Sequence, residues 1–479
     1  MFTIDCYLCC IAVIFFAFLI IAVTFTLTLA ALKLYISYKK LKYKDSTNTR
    51  IGIFHPYCNA GGGGERVLWC AVKALLSKAE NLEIHIYTGD QSSPKDILEK
   101  AKNRFNIILE ESQVNFVYLK CRGLVEHKNY PFLTLILQSI GSMFLGLEAL
   151  LKYQPDIYLD TMGYAFTLPV FKFIGACKTA SYVHYPIIST DMLKRVKSRI
   201  AGHNNNKFVA KNPVLSFMKL MYYRWFAWVY KWMGRCSDTI MVNSTWTEDH
   251  INNIWNVSFK THRVYPPCDV KHLKQLTPSP SSDEIIILSI GQYRPEKDHP
   301  LQLQCLYELR TLLQNNENLW QKIKLKIIGS SRNDVDKEYV QNMIDLSHHL
   351  ALEDSVEFLV NVSHDELIES YKTATMGLHC MWNEHFGIGI VDSMAAGLIM
   401  IANKSGGPLT DIIETSIGSQ TGFLASTALE YAQCIRYILS LSDEEKKTIQ
   451  LAARSSVDRF SEDEFEKGFL RAVVPMLSK

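Results

Sequence analysis

From Tyr7 to Ile36 the chain is apolar with a single charge, Lys33. About 20 apolar residues cross a bilayer core as a helix, so a membrane-spanning anchor is predicted over residues 1–40. Lys39, Lys40, Lys42, Lys44 and Arg50 follow the run, and no Lys or Arg precedes it. The positive-inside rule then puts everything after residue 40 in the cytosol. A secretory signal is the rival reading. It fits less well, because a basic leader and a cleavage site are missing and the apolar run is too long.

Beyond the anchor, short β-rich runs alternate with helical patterns. Strands are predicted at 51–55, 82–87, 114–119, 156–159, 179–184 and 239–243. A Pro/Ser-rich break runs from Pro266 to Ser282, and a second series follows at 285–290, 323–328, 356–359, 377–379 and 398–401. Strands alternating with helices imply parallel sheets covered on both faces. The expectation is an α/β chain of two Rossmann-like domains, 41–270 and 271–455, facing a cleft. A C-terminal helix, 456–479, packs back toward the first domain. Ligands of such sheets bind outside the strands' carboxyl ends, so the site is expected in the cleft.

Two other apolar stretches are ambiguous. Residues 131–151 nearly suffice to span a bilayer but contain Gln138, Gly141, Ser142, Gly146 and Glu148. They read as a buried or membrane-dipping helix rather than a span. Residues 217–235 interleave aromatics with Lys and Arg, which suits either a bilayer interface or a helix packed on its own sheet.

Composition changes this picture little. A formal net charge of +3 on 479 residues, without a long basic stripe, sets nucleic acid aside. Cys6 and Cys9 have redox-motif spacing, but beside a membrane segment packing or palmitoylation is the better reading, with Cys10 adjacent. The body is expected to be reduced and cytosolic. Sequons at Asn243, Asn256, Asn361 and Asn403 are then chance matches.

Three segments carry candidate chemistry. Gly61–Gly64 lie between the first strand and an apolar helix, where backbone amides can approach an anion. Neither a dinucleotide fingerprint nor a P-loop is present. Arg294 and Lys297 stand just past the first strand of the second series. A guanidinium fork and an ammonium there can neutralise a diphosphate. Glu384 and Asp392, eight residues apart, flank a glycine loop that turns into a helix, and Gly406-Gly407 follow the next strand. One acid can meet sugar hydroxyls and the other a ribose.

These motifs resemble the retaining glycosyltransferases of the GT-B fold, family 4, over essentially the whole soluble chain. Trp382–Gly397, with Gly61–Trp69, Ser181–Pro186 and the anchor, is similar more narrowly to eukaryotic α-1,2-mannosyltransferases of dolichol-linked oligosaccharide assembly. The resemblance implies GDP-mannose as donor and dolichol-diphosphate-linked Man3GlcNAc2 and Man4GlcNAc2 as acceptors. The place implied is the cytosolic face of the endoplasmic reticulum membrane, beside other mannosyltransferases of the pathway. It implies no cofactor and no metal. It gives Arg294 and Lys297 the diphosphate, Glu384 the transferred sugar, and Phe386, Gly387 and Ile388 amide contacts to the donor. His184 falls near the reacting sugar, and Gly62, Gly63 and Gly64 line the donor–acceptor junction. At position 392 the family has Glu; here Asp holds the ribose. Rivals are a GT-B enzyme with another donor or lipid acceptor, including phosphatidylinositol, and a non-catalytic scaffold of the same fold.

Overall fold

The computed structural model describes residues 2–41, 48–78, 81–199, 211–279, 283–416 and 418–477. Lys42, Lys44 and the end of the linker at Ser282 lie outside these residues, as do the side chains of Cys6, Cys9 and Cys10. Every cysteine whose side chain is described is a free thiol.

The first sheet contains β1 (Thr49–Phe54), β2 (Leu82–Thr88), β3 (Asn115–Tyr118), β4 (Ile157–Asp160), β5 (Lys178–Val183), β6 (Thr239–Val242) and β7 (Thr261–Arg263). Its order is β3-β2-β1-β4-β5-β6-β7. The second contains β8 (Ile285–Ile290), β9 (Ile323–Gly329), β10 (Val356–Val360), β11 (Met376–His379), β12 (Ile399–Asn403) and β13 (Gly422–Ala425), in the order β10-β9-β8-β11-β12-β13. All pairings are parallel. The strand order reverses beside β1 in one sheet and β8 in the other. The crevices that bind ligands in doubly wound folds therefore open beside the glycine loop and beside Arg294. Two edge strands, β7 and β13, were not anticipated. Thr261-His262-Arg263 has no apolar residue, and Gly422-Phe423-Leu424-Ala425 is too short to set a pattern.

Chain crossing between the domains occurs twice. After the linker the chain builds the second sheet, then the helix Asp443–Ser456 buries Ile449 and Ala453 there. The helix Glu462–Leu477 returns to the first domain, where Phe465, Phe469, Val473 and Met476 join the core of Leu68, Trp69 and Ile53.

The N-terminal helix runs from Phe2 to Leu41. Phe15, Phe16, Ile20, Leu27 and Leu34 are exposed along it, while Ile36 is buried against the first domain. At its end Lys39 donates to the Leu151 carbonyl (3.0 Å) and Lys40 to that of Ala176 (3.1 Å). Among the described residues, the N-terminal helix is thus fastened to the body near its C-terminal end.

Both ambiguous stretches are helices on the first domain. In Thr134–Lys152, one face buries Gly141, Ser142, Leu145, Gly146 and Ala149. Its polar residues are used locally: Gln138 donates to the Val125 carbonyl, and Glu148 accepts from the amides of Lys120 and Cys121. Phe132, Leu133, Ile140 and Phe144 are exposed on the other side. In Pro213–Gly234, Tyr223, Phe226 and Tyr230 are buried, while Phe217, Met218, Met221, Trp225, Trp228 and Trp232 are exposed. The segment is therefore a helix packed on its own domain through one face, with an aromatic face left exposed.

Candidate active site

Arg294 and Lys297 sit in the turn after β8, where a one-turn helix, Pro295–Lys297, carries them past the sheet edge. Lys297 Nζ lies 2.6 Å from Glu384 Oε2, and His379 Nε2 lies 3.1 Å from the same oxygen. Burial opposes charge on Glu384, but Lys297 and His379 prevail and hold its carboxyl well below the usual carboxylate range. Arg294 approaches Glu296 at 3.6 Å, and its buried Nε has no hydrogen-bond partner. That donor is left free for a further acceptor. His379, at the carboxyl end of β11, escaped sequence reasoning. Its only sequence signal was its place at a predicted strand end, five residues before Glu384.

The loop bearing Glu384 is shaped by glycines. Gly387 has φ +115° and opens the helix Ile388–Ala396, leaving the first amides of that helix without intrahelical partners. A Cβ on Gly406 would stand 2.2 Å from the Glu384 carbonyl, and one on Gly407 would stand 2.6 Å from Phe386 Cα. The two glycines let the turn after β12 nest under the Glu384 loop, with Gly407 N donating to the Glu384 carbonyl (2.8 Å). Phe386 is buried against Tyr265 and Phe460. That packing fixes the backbone whose amides line the loop.

The first domain supplies the opposite wall. A Cβ on Gly63 would lie 2.8 Å from Ile388 Cδ1, and one on Gly64 would lie 3.7 Å from His184 Nε2. The glycine loop therefore meets both the donor-side loop and His184. Gly62 donates its amide to Glu65 Oε2 (2.7 Å). Burial opposes the charge of Glu65, yet His55 and this amide keep its carboxyl lowered. His184, one residue past β5, bonds through Nε2 with the Thr161 carbonyl (3.0 Å). Burial, with His55 nearby, pushes its imidazole down to about 4, so it is neutral at physiological pH.

Asp392 lies one helical turn beyond Ile388, near the segments where the chain crosses between the domains. Its Oδ1 accepts the Asp269 amide (3.1 Å). Arg66, from the helix after the glycine loop, reaches Glu462 at 2.9 Å and Asp269 at 3.9 Å beside it. Burial raises the Asp392 carboxyl to about 6, with Arg66 pulling the other way. Glu384 and Asp392 thus occupy different surroundings: one paired with a cation at the cleft, the other in a cluster of three acids and one arginine at the domain crossover.

Two facing parallel-sheet domains, a cationic pair and carboxylate past the second sheet, and a glycine loop past the first define a GT-B glycosyltransferase. Comparison of the whole fold agrees. The structure of an Anabaena protein, HepE, in complex with UDP and glucose superposes with a TM-score of 0.60 at 15% identity, covering 90% of this chain and all of that one. Sucrose-phosphate synthase from Thermosynechococcus elongatus superposes at 0.64 and 17% identity, with the same coverage. Residues 48–255 match the family model for the ALG11 mannosyltransferase N-terminus, and 274–455 match glycosyl transferases group 1. The GDP-Man:Man(3)GlcNAc(2)-PP-Dol alpha-1,2-mannosyltransferase of Homo sapiens is 48% identical, over 95% of this chain and 93% of that protein. Those of Xenopus laevis and Dictyostelium discoideum are 51% identical (89% and 87%) and 44% identical (92% and 88%). The chain belongs to the ALG11 mannosyltransferase family.

Proposed function

We propose that this chain transfers mannose in α-1,2 linkage from GDP-mannose to Man3GlcNAc2 on dolichol diphosphate, and then to the Man4GlcNAc2 product, at the cytosolic face of the endoplasmic reticulum membrane. The relatives' names supply donor and first acceptor. The observation that carries the chemistry is the Lys297–Glu384 pair at 2.6 Å, with Arg294 in the same turn as Lys297. In this reading Arg294 and Lys297 neutralise the diphosphate as it departs, each charge-assisted contact being worth about 1.5–3 kcal/mol. Lys297 also holds Glu384 ionised, so its carboxylate can accept hydrogen bonds from mannose hydroxyls as positive charge grows at the anomeric carbon. The amides of Phe386, Gly387 and Ile388 meet the donor phosphates. Asp392, with one oxygen taken by the Asp269 amide, offers the other to a ribose hydroxyl. An α-linked product from an α-linked donor means retention. The departing phosphate oxygen, on the same face as the incoming hydroxyl, takes its proton, while neutral His184 and Gly62–Gly64 shape the junction.

The exposed anchor and the exposed aromatic face of Pro213–Gly234 support a membrane setting. The test is transfer to a synthetic dolichol-type diphosphate Man3GlcNAc2 acceptor. Wild-type protein should consume GDP-mannose but not UDP-sugars. Glu384→Ala should lower kcat on the order of a hundred-fold or more. Equal use of UDP-glucose, or an unchanged Glu384→Ala rate, would refute the reading.

A further inference from the structure

Glu384 bonds within its own domain, to Lys297 and His379, but both of its sequence neighbours reach across the cleft. Asn383 Nδ2 donates to Asp191 Oδ2 (3.1 Å). The His385 ring stacks on Tyr185 (centroids 5.0 Å apart, planes 18°) and lies 5.1 Å from Trp246. Asp191, Tyr185 and Trp246 all belong to the first domain. Asn383 sits in the left-handed region at φ +51°, a conformation that asparagine tolerates but does not prefer. Its backbone amide is tied to Ser405 Oγ (2.7 Å) inside the second domain. Its side chain is what answers to the other domain.

The far end of this contact is built. Asp191 lies in the first turn of the helix Thr190–Lys197, which is capped by Ser189. Its Oδ2 also faces His250 Nε2 (3.4 Å), and its Oδ1 faces Lys194 (3.6 Å). His250 is buried, fixed by Thr190 Oγ1 (2.9 Å) and by the edge of Trp246. Thr245, next to Trp246, donates its amide to Asp411 of the second domain (3.0 Å).

We infer that Asp191 is a positioning residue: through Asn383 it clasps the Glu384 loop across the cleft and completes the alignment of a carboxylate that Lys297 and His379 already hold. The inference rests on Glu384 acting in transfer as proposed above. The donor's diphosphate contacts belong to the second domain alone, so losing the clasp affects the chemical step and leaves donor capture intact. A displacement of the carboxylate by about 1 Å is enough to cost on the order of a hundred-fold in rate.

The test uses the full-length protein and the same acceptor assay. Asp191→Ala should lower kcat about ten- to a hundred-fold, with KM for GDP-mannose unchanged within about two-fold. Asp191→Asn, whose amide oxygen still accepts from Asn383, should recover most of that loss. Asp191→Ala combined with Asn383→Ala should be no slower than the slower single variant, as coupled partners require. An unchanged kcat in Asp191→Ala, an Asn variant as poor as Ala, additive losses, or a loss confined to KM would each overturn the inference. A wild-type protein that transfers no mannose would instead remove the reading beneath it.

Discussion

At the scale of single residues, the two acids eight positions apart show how one spacing yields two environments. Glu384 is ionised by a lysine and a histidine that the sheet edges bring to it. Asp392 is buried beside Arg66 and raised to about 6, against about 3.9 in an unfolded chain. Between those values the folded chain keeps a proton that the unfolded chain has lost. The stability that this carboxyl contributes is therefore present below about pH 3.9 and is lost as pH rises through about 6. Asp392→Asn retains an oxygen for the Asp269 amide while removing the charge. Its melting temperature should exceed wild type at about pH 7.5 and converge with it near pH 4 in a thermal-shift series. A lower melting temperature at pH 7.5 would mean that attraction to Arg66 outweighs the cost of burial. Sequence revealed both acids, since their spacing lies within one segment. Arg66, Asp269 and Glu462 come from three distant segments that only the folded chain brings together, so their cluster had no local pattern to announce it.

At the scale of elements, the turn after β12 governs the Glu384 loop through close backbone approach. Gly406 has φ +56°, and a Cβ there would fall 2.2 Å from a carbonyl oxygen, which cannot swing aside as a side chain can. Gly406→Ala should cost at least ~2 kcal/mol of stability and take activity with it. Gly63→Ala meets only the tip of Ile388 at 2.8 Å, so it should fold nearly as well as wild type while still obstructing the cleft. Chemical denaturation beside the transfer assay separates the two: Gly406→Ala should fail in both, Gly63→Ala mainly in transfer. This contrast also marks what was legible. Glycines between strands and helices announced loops that approach a ligand or a neighbour. Which neighbour each meets depends on how the two sheets face one another. The strands that bury Ile51, Ile53 and Ile287 wrote near-continuous apolar runs, as doubly covered parallel strands do. The edge strands β7 and β13, half freed from that requirement, did not. Asp191, Asn383 and His379 were likewise hidden, being ordinary polar residues until the cleft sets them beside Glu384.

At the scale of the whole molecule, the first domain leaves many large apolar side chains exposed on two of its helices. The anchor leaves it at Lys39 and Lys40, fastened to Leu151 at the end of Thr134–Lys152 and to Ala176. Ile140 and Phe144 on one helix, with Phe132 and Leu133 just before it, and Phe217, Met218, Trp225, Trp228 and Trp232 on another, remain exposed. Clusters of this kind mark interaction surfaces, and Trp residues with basic neighbours such as Lys219 suit headgroup depth. If this face lies on the bilayer, the anchor is not the sole attachment, and the acceptor's lipid diphosphate is delivered beside the cleft. A chain lacking residues 1–31 keeps Leu32 and Ile36, which pack on the body. That chain should still float with vesicles containing anionic lipid, weakened by high salt. Adding Trp225→Ser, Trp228→Ser and Trp232→Ser should release it to the bottom of the gradient without lowering its melting temperature, since none of the three is buried. Flotation equal to that of the truncated parent would show that the aromatic face does not touch lipid. The sequons give an independent reading of side: Asn243 and Asn403 are buried, so Asn256 and Asn361, both exposed, are the informative ones. If the body faces the cytosol, as proposed from the lysines that follow the apolar run, both should remain unglycosylated by peptide mass in cells; a glycan on either would put it in the lumen and overturn that orientation.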